Sequence, residues 1–171
     1  AKMHKAIAII QFKVEGQIIK RHPEYQMNDR MHLTAIDFEK GTVVIRGKEY
    51  KLLDTNLPTV DPKDPLKLTK EESELIHNLC TSFKHSGKLH RHIRFLYSHG
   101  GMYKCCNSNL LYHGCIPMKE NGDFDEMSMN GIIYSGKRML DFIEDAVKMA
   151  YFLPEDDSSR EWYKDFMWYL W

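Results

Sequence analysis

The residues with the clearest potential for chemistry lie in Asn109-Leu110-Leu111-Tyr112-His113-Gly114-Cys115-Ile116-Pro117. The apolar run Leu110, Leu111 and Tyr112 predicts a buried strand that delivers His113 to a glycine-containing turn. Pro117 then stops the segment. A neutral imidazole at the end of a strand is placed to bind a metal above a sheet, although His-Gly alone equally describes a packed or capping histidine. A second group is the run from Lys84 to Arg94 (KHSGKLHRHIR). Its helical phase puts Lys84, Lys88 and Arg91 near one face. Fixed guanidinium groups suit phosphate, so Lys88, Arg91 and Arg94 are phosphate-binding candidates. A solvated face paired with acids such as Glu71 or Glu74 is the alternative. Asn107 and Asn109 bracket the turn before the His113 strand, in reach of a phosphate or a metal-bound water, while turn asparagines commonly serve their own backbone. Glu120, Asp123, Asp125 and Glu126 follow the His-Gly loop. General acid work needs a closed site that raises a pKa, and an Asn/Gly-rich loop is expected to be exposed.

The elements that must position these residues follow from periodicity and punctuation. Residues 4–20 predict a helix with an apolar stripe of Ile7, Ile10, Val14 and Ile18, loosened late by Gly16 and ended by His22-Pro23. Residues 31–38, 42–46 and 49–53 predict a three-stranded meander, with turns at Glu39-Lys40-Gly41 and Gly47-Lys48. Pro58, Pro62 and Pro65 make residues 54–68 an extended connection. Thr69 with Glu72 is a capping box opening a helix with Leu75, Leu79 and Phe83 on one stripe, beside Ile76 and Cys80. Ser86-Gly87 interrupts it, Leu89, Ile93 and Leu96 continue an apolar face, and Gly100-Gly101 stops the run. Strands at 102–106 and 109–113 meet at Asn107-Ser108. Strands at 125–129 and 132–134 meet at Asn130-Gly131, the strongest turn dipeptide in the chain. Ser135 is placed to cap a helix to Ala150, and an aromatic terminal helix follows. The expected class is α+β, helices with short antiparallel hairpins, divided as 1–68 and 69–171.

Composition narrows the function classes. Lys and Arg total 24, as do Asp and Glu, so the formal net charge is zero. That balance argues against nucleic acid or an anionic membrane as a partner held by bulk charge. No apolar run approaches a membrane span, and no signal peptide is visible. Cys80, Cys105, Cys106 and Cys115 have no disulfide-framework spacing and no C-x-x-C pair that suggests zinc, a site of Cys105, Cys115 and a nearby His being the alternative, and free thiols with ten Met suit a reducing cytosol.

Several segments, in order along the chain, resemble the class III (Firmicute-type) fructose-1,6-bisphosphatases, a family of the calcineurin-like metallophosphoesterases. They are His4–Arg21 (HKAIAIIQFKVEGQIIKR), Lys88–Ser98 (KLHRHIRFLYS), Asn109–Pro117, Tyr134–Asp141 (YSGKRMLD) and Trp168–Trp171 (WYLW). Cys105-Cys106 departs from the apolar-aromatic pair expected there. The resemblance implies hydrolysis of the 1-phosphate of fructose 1,6-bisphosphate in gluconeogenesis, in the cytoplasm, with a divalent metal, manganese being the expected ion. It implies that His113 binds one of two metals. It also implies that a cationic site, for which Arg91 and Arg94 are the candidates, holds the phosphate that is not cleaved.

The resemblance also marks what is missing. Such enzymes carry an early Asp-x-His, a Gly-Asp-x-x-Asp-Arg-Gly and a Gly-Asn-His-Asp segment, and none of these is present; Gly122-Asp123 continues as Phe124-Asp125. The chain is therefore expected to be an internal piece of a longer phosphatase, inactive alone, and an incomplete part of an α/β sandwich. The ends suggest the same: position 1 is Ala, and the last ten residues hold three Trp. Such an end is expected to expose an apolar patch covered by the rest of the parent chain or by a second copy. The rival readings are a non-catalytic interaction module and a regulatory nucleotide-binding module that uses the Lys84–Arg94 run.

Overall fold

The computed structural model describes residues 2–112 and 114–171. Among these, five α-helices alternate with small antiparallel sheets. The order is α1 (Lys2–Arg21), a series of 3-10 turns, β1 (Ile36–Asp37), β2 (Thr42–Ile45), β3 (Lys48–Lys51), α2 (Lys70–Lys84) and α3 (Gly87–His99). Then come β4 (Tyr103–Cys106), β5 (Asn109–Tyr112), β6 (Glu126–Met129), β7 (Ile132–Ser135), α4 (Gly136–Phe152) and α5 (Arg160–Leu170). The chain forms two compact units, Ala1–His85 and Ser86–Trp171. The division falls after α2 rather than at the 68/69 position expected from sequence, because α2 is tied to α1 through its first turn.

In the first unit, α1 is continuous to Arg21 and buries Ile9, Ile10, Lys13, Gly16, Ile18 and Ile19. Ile7, expected on the buried stripe, is exposed. The buried face is shifted because it includes Lys13, fully excluded from water, at helical spacing from Ile9 and Ile10. Gly16 does not loosen the helix. A Cβ there would stand 2.5 Å from Leu66 Cδ2, so the missing side chain is what lets Leu66 reach α1. The Pro-containing stretch is thus more than a connection. Val60 and Leu66 join Ile9 and Leu33 in the core, with Phe12, Met31, Ile36, Phe38 and Leu57 packed around them. Gln17 Nε2 also donates to the Leu66 carbonyl at 2.7 Å.

The three-stranded meander is present with antiparallel order β1-β2-β3, pairing Val43 with Ile36 and with Tyr50. Its first strand is far shorter than the expected 31–38. Residues His32–Ala35 form a 3-10 turn instead, which seats Leu33 in the core and sets His32 edge-on to Phe12. Burying Leu33 outweighs strand propensity here.

The N-terminus of α2 is built as predicted. Thr69 Oγ1 accepts from the Glu72 amide at 3.2 Å, and Glu72 Oε2 accepts from the Thr69 amide at 2.8 Å. The same Oε2 takes Lys13 Nζ at 2.7 Å, and Lys13 also donates to the Thr59 carbonyl. One carboxylate therefore caps one helix and neutralises another helix's buried ammonium.

In the second unit, α4 buries Met139, Leu140, Ala146 and Ala150. Helix α5 packs against it through Phe166, which is fully buried. Phe166 stacks on Trp162 at 5.3 Å between centroids and touches Phe142 at 5.4 Å, and Phe142 stacks on Tyr134 at 4.0 Å. The aromatic terminus is therefore covered in part within the unit, while Leu170 and Trp171 stay exposed. Trp162 and Trp168 are half-buried, and only Trp171 of the three Trp is largely exposed, because α4 covers the inner face of α5.

Burial pushes the Glu72 carboxyl up, but the hydrogen bond from Lys13, then the Thr69 amide and the Thr59 hydroxyl, bring it below its ordinary value of 4.5. A carboxyl depressed on folding stabilises the fold above pH 4.5, and that contribution is lost as pH falls through the folded value. Glu72→Gln is thus expected to flatten the acid limb of stability between about pH 5 and 3 in urea melts. Lys13→Met alone, which strands the carboxylate, is expected to destabilise by about 3–5 kcal/mol. Adding Glu72→Gln should restore part of that loss.

Candidate functional site

The segment that ends in His113 is an antiparallel hairpin. β4 and β5 pair in the register Tyr103 with Tyr112, Lys104 with Leu111, Cys105 with Leu110 and Cys106 with Asn109. Asn107 and Ser108 both take positive φ, 50° and 61°, the two-residue turn whose twist matches the strands. The predicted turn is therefore present, but the predicted burial is not. Leu110, Leu111 and Tyr112 are all about half exposed, because β4 and β5 pair only with each other and neither face of β5 is covered. His113, the proposed metal ligand, lies outside the described residues. Its neighbours Tyr112 and Gly114 are exposed, and Gly114 takes φ +83° with open space where a Cβ would stand.

Side chains of α4 hold the base of this hairpin. The Tyr103 hydroxyl donates to Asp141 Oδ1 at 2.8 Å, and Lys137 Nζ donates to Asp141 Oδ2 at 2.6 Å while lying 5.4 Å from the Tyr103 ring centroid. Lys137 first, and then Tyr103, hold the Asp141 carboxyl below its usual range; the same contact raises the Lys137 ammonium well above its own. One turn on, Glu144 Oε1 accepts from Lys148 at 2.5 Å and Oε2 from the Met102 amide at 2.9 Å. Lys148 and that amide lower the Glu144 carboxyl. These two carboxylates pin the entry of β4 to one face of α4. Beside them a cleft of about 230 Å3 opens between Leu96, Tyr97, Met102 and Val147.

The phosphate candidates fall in two places. Lys88, Arg91 and Arg94 are exposed on α3, a helix whose sequence GKLHRHIRFLYSH contains no carboxylate. Ser86 Oγ caps it by accepting from the Leu89 amide at 3.4 Å. None of the three cations makes an ion pair among the described residues, and Glu74, one of the acids expected to pair with them, meets Lys70 at 4.0 Å. The interruption at Ser86-Gly87 separates Lys84, at the end of α2, from this group. Asn107 and Asn109 sit at the hairpin turn, where Asn109 Nδ2 donates to the Asn107 carbonyl at 3.1 Å and so serves the turn. The α3 cations and the hairpin asparagines are not joined by any hydrogen bond among the described residues. The acidic loop behaves as expected, with Glu120, Asp123, Asp125 and Glu126 all exposed.

Sequence reasoning missed the groups that fix this geometry. Tyr103 and Glu144 drew no notice and Asp141 was seen only as the end of the Tyr134–Asp141 segment; the i, i+4 spacings Lys137–Asp141 and Glu144–Lys148 are the signal that could have found the two carboxylates. His90 was seen as part of a basic run, but its Nδ1 lies 2.5 Å from the Tyr151 hydroxyl, facing α4. No three His, Cys, Asp or Glu side chains converge among the described residues. The described residues therefore do not by themselves fit a divalent metal. The four cysteines are free and exposed, and no helix is long and apolar enough to cross a membrane among the described residues.

If the Tyr103–Asp141 contact orients the hairpin, Tyr103→Phe should speed amide exchange across β4 and β5 by several-fold. Exchange in α1 should stay unchanged, as read by hydrogen-exchange mass spectrometry.

A family model described as Firmicute fructose-1,6-bisphosphatase matches residues 1–171. Among curated relatives, the class 3 fructose-1,6-bisphosphatase of Clostridium novyi (strain NT) is 55% identical over 171 residues, covering 100% of this chain and 26% of the relative. The protein of the same name from Listeria innocua serovar 6a is 50% identical over 171 residues, again 100% and 26%. That of Bacteroides fragilis (strain YCH46) is 51% identical over 170 residues, 99% and 26%. The chain thus spans about a quarter of the length of these relatives. No solved structure matches it.

Proposed function

The chain belongs to the Firmicute fructose-1,6-bisphosphatase family, and from that membership we propose that it is one segment of a longer enzyme that hydrolyses the 1-phosphate of fructose 1,6-bisphosphate in gluconeogenesis. The observation that carries the reading is the extent of the likeness. It covers all 171 residues, at half identity or better, with relatives that bear that name. The relatives are about four times as long, so the remainder of the catalytic centre belongs to the rest of the parent polypeptide. In this reading the segment is part of a metallophosphoesterase-type α/β sandwich and the enzyme works in the cytoplasm with a divalent ion, manganese.

His113 is the proposed metal ligand. It follows directly on β5, whose hairpin is anchored to α4 through Tyr103 and Asp141. Its partner ligands would come from outside residues 1–171, since the described residues hold no complete set. Lys88, Arg91 and Arg94 are the proposed holders of the phosphate that stays on the sugar. Their support is electrostatic: three exposed cations on one helix without a carboxylate form a local positive field in a chain of zero net charge. Asn107 and Asn109, at the turn end of the hairpin and a strand's length from the end that leads to His113, are secondary candidates for polar contacts.

The test uses the full-length enzyme. His113→Ala is expected to lower bound manganese and reduce activity by about 100-fold or more. Arg91→Ala combined with Arg94→Ala is expected to raise KM about tenfold, the effect of about 1.4 kcal/mol of lost binding, with kcat largely kept. Unchanged metal content and activity in His113→Ala would remove the ligand assignment.

A further inference from the structure

Helix α2 is amphipathic and nearly bare. Of its fifteen residues, Glu72 alone is buried. The stripe Leu75, Leu79 and Phe83, spaced i, i+4 and i+8, is 45%, 48% and 64% exposed. Its first turn is nevertheless fixed firmly by the capping box and by the Lys13 ammonium. A helix of this length is marginal in water without tertiary packing of its apolar face. Anchoring one end while three further turns present an apolar ridge is the geometry of a helix that seats in a groove.

We infer that α2 presents Leu75, Leu79 and Phe83 to an apolar groove formed by a segment of the same polypeptide outside residues 1–171. The relatives carry about three-quarters of their length outside the matched region, so such chain is available. A covalently tethered segment meets the ridge at an effective concentration of roughly millimolar, which outcompetes a second copy at ordinary protein concentrations. The ridge is apolar throughout, while Lys70, Glu74, His77 and Asn78 line the opposite side of the helix. The expected partner surface is accordingly aliphatic or aromatic and uncharged. This inference rests on the reading that the chain works within a longer polypeptide, and is independent of the metal and phosphate assignments.

The test places a photoreactive benzoylphenylalanine in the full-length enzyme at the ridge (Phe83→benzoylphenylalanine) and, as a control, on the far side (Glu74→benzoylphenylalanine). After irradiation, electrophoresis and peptide mass spectrometry identify the linked segment. The expected result is a link from position 83 to a peptide outside residues 1–171, at the mass of a single chain, with at least fivefold less linking from position 74. A link into residues 86–171, a band at twice the chain mass, or no link above that of the control would each overturn the inference. Absence of fructose 1,6-bisphosphate hydrolysis by the unsubstituted full-length protein, with the link intact, would count against the phosphatase reading alone.

Discussion

A lysine ammonium with no access to water has to be matched by an anion and by further acceptors, or it cannot remain charged where it lies. Lys13 meets that requirement with two groups from a distant stretch of chain, the Thr59 carbonyl and the Glu72 carboxylate. Much of the first unit is arranged by this demand. Thr59 must come alongside α1, which brings Val60 and Leu66 down onto Ile9 and Leu33. Glu72 must arrive as an ionised group, and the Thr69 amide that helps keep it ionised is the same amide its capping role satisfies. A buried pair of this kind contributes little net stability against an apolar substitute. What it supplies is position, because only one docking of α2's first turn leaves both charges satisfied.

The second unit solves a similar problem at its surface. Asp141 and Glu144 lie on α4 within one turn of each other, and both turn toward the entry of the β4–β5 hairpin, one to the Tyr103 hydroxyl and one to the Met102 amide. Each is also paired with a lysine four residues away on the same helix, Lys137 and Lys148. The hairpin thus has its base, the end from which the proposed ligand follows, held by carboxylates, while its turn end and apolar strands are exposed. The unpaired edges of this two-stranded sheet and its half-exposed β5 leave backbone and apolar groups open to pairing.

Much of this was legible in advance, because it depends on local chemistry. The capping box at Thr69 and Glu72, the Asn107-Ser108 and Asn130-Gly131 turns and the break at Ser86-Gly87 all rest on residues within four positions of one another. The structure reproduces each of them. The readings that failed concern partners distant in sequence. Periodicity placed Ile7 inside and made no provision for Lys13. Apolar content placed Leu110 and Leu111 in a core. Aromatic content gave no sign that Phe166 alone would be enclosed by α4 while Leu170 and Trp171 stay exposed. In each case the pattern reports that a residue prefers an apolar neighbour, not whether one is supplied.

The amino-acid sequence alone determined most of the element types, the hairpin turns and the capping box of α2, though not the 3-10 turn at His32–Ala35 or a side-chain cap by Ser135, which makes none; through its likeness to relatives over every residue, it also determined the family. Only the tertiary structure decided which faces are covered: that Lys13 is sealed in by Glu72 and Thr59, that Gly16 is where Leu66 enters, that Phe166 is enclosed, and that α2 and β5 stand uncovered. The physical reason is range. Helix, turn and cap energies are set by neighbours a few residues apart, whereas burial and charge pairing depend on segments 46 and 59 residues away, as Thr59 and Glu72 are from Lys13.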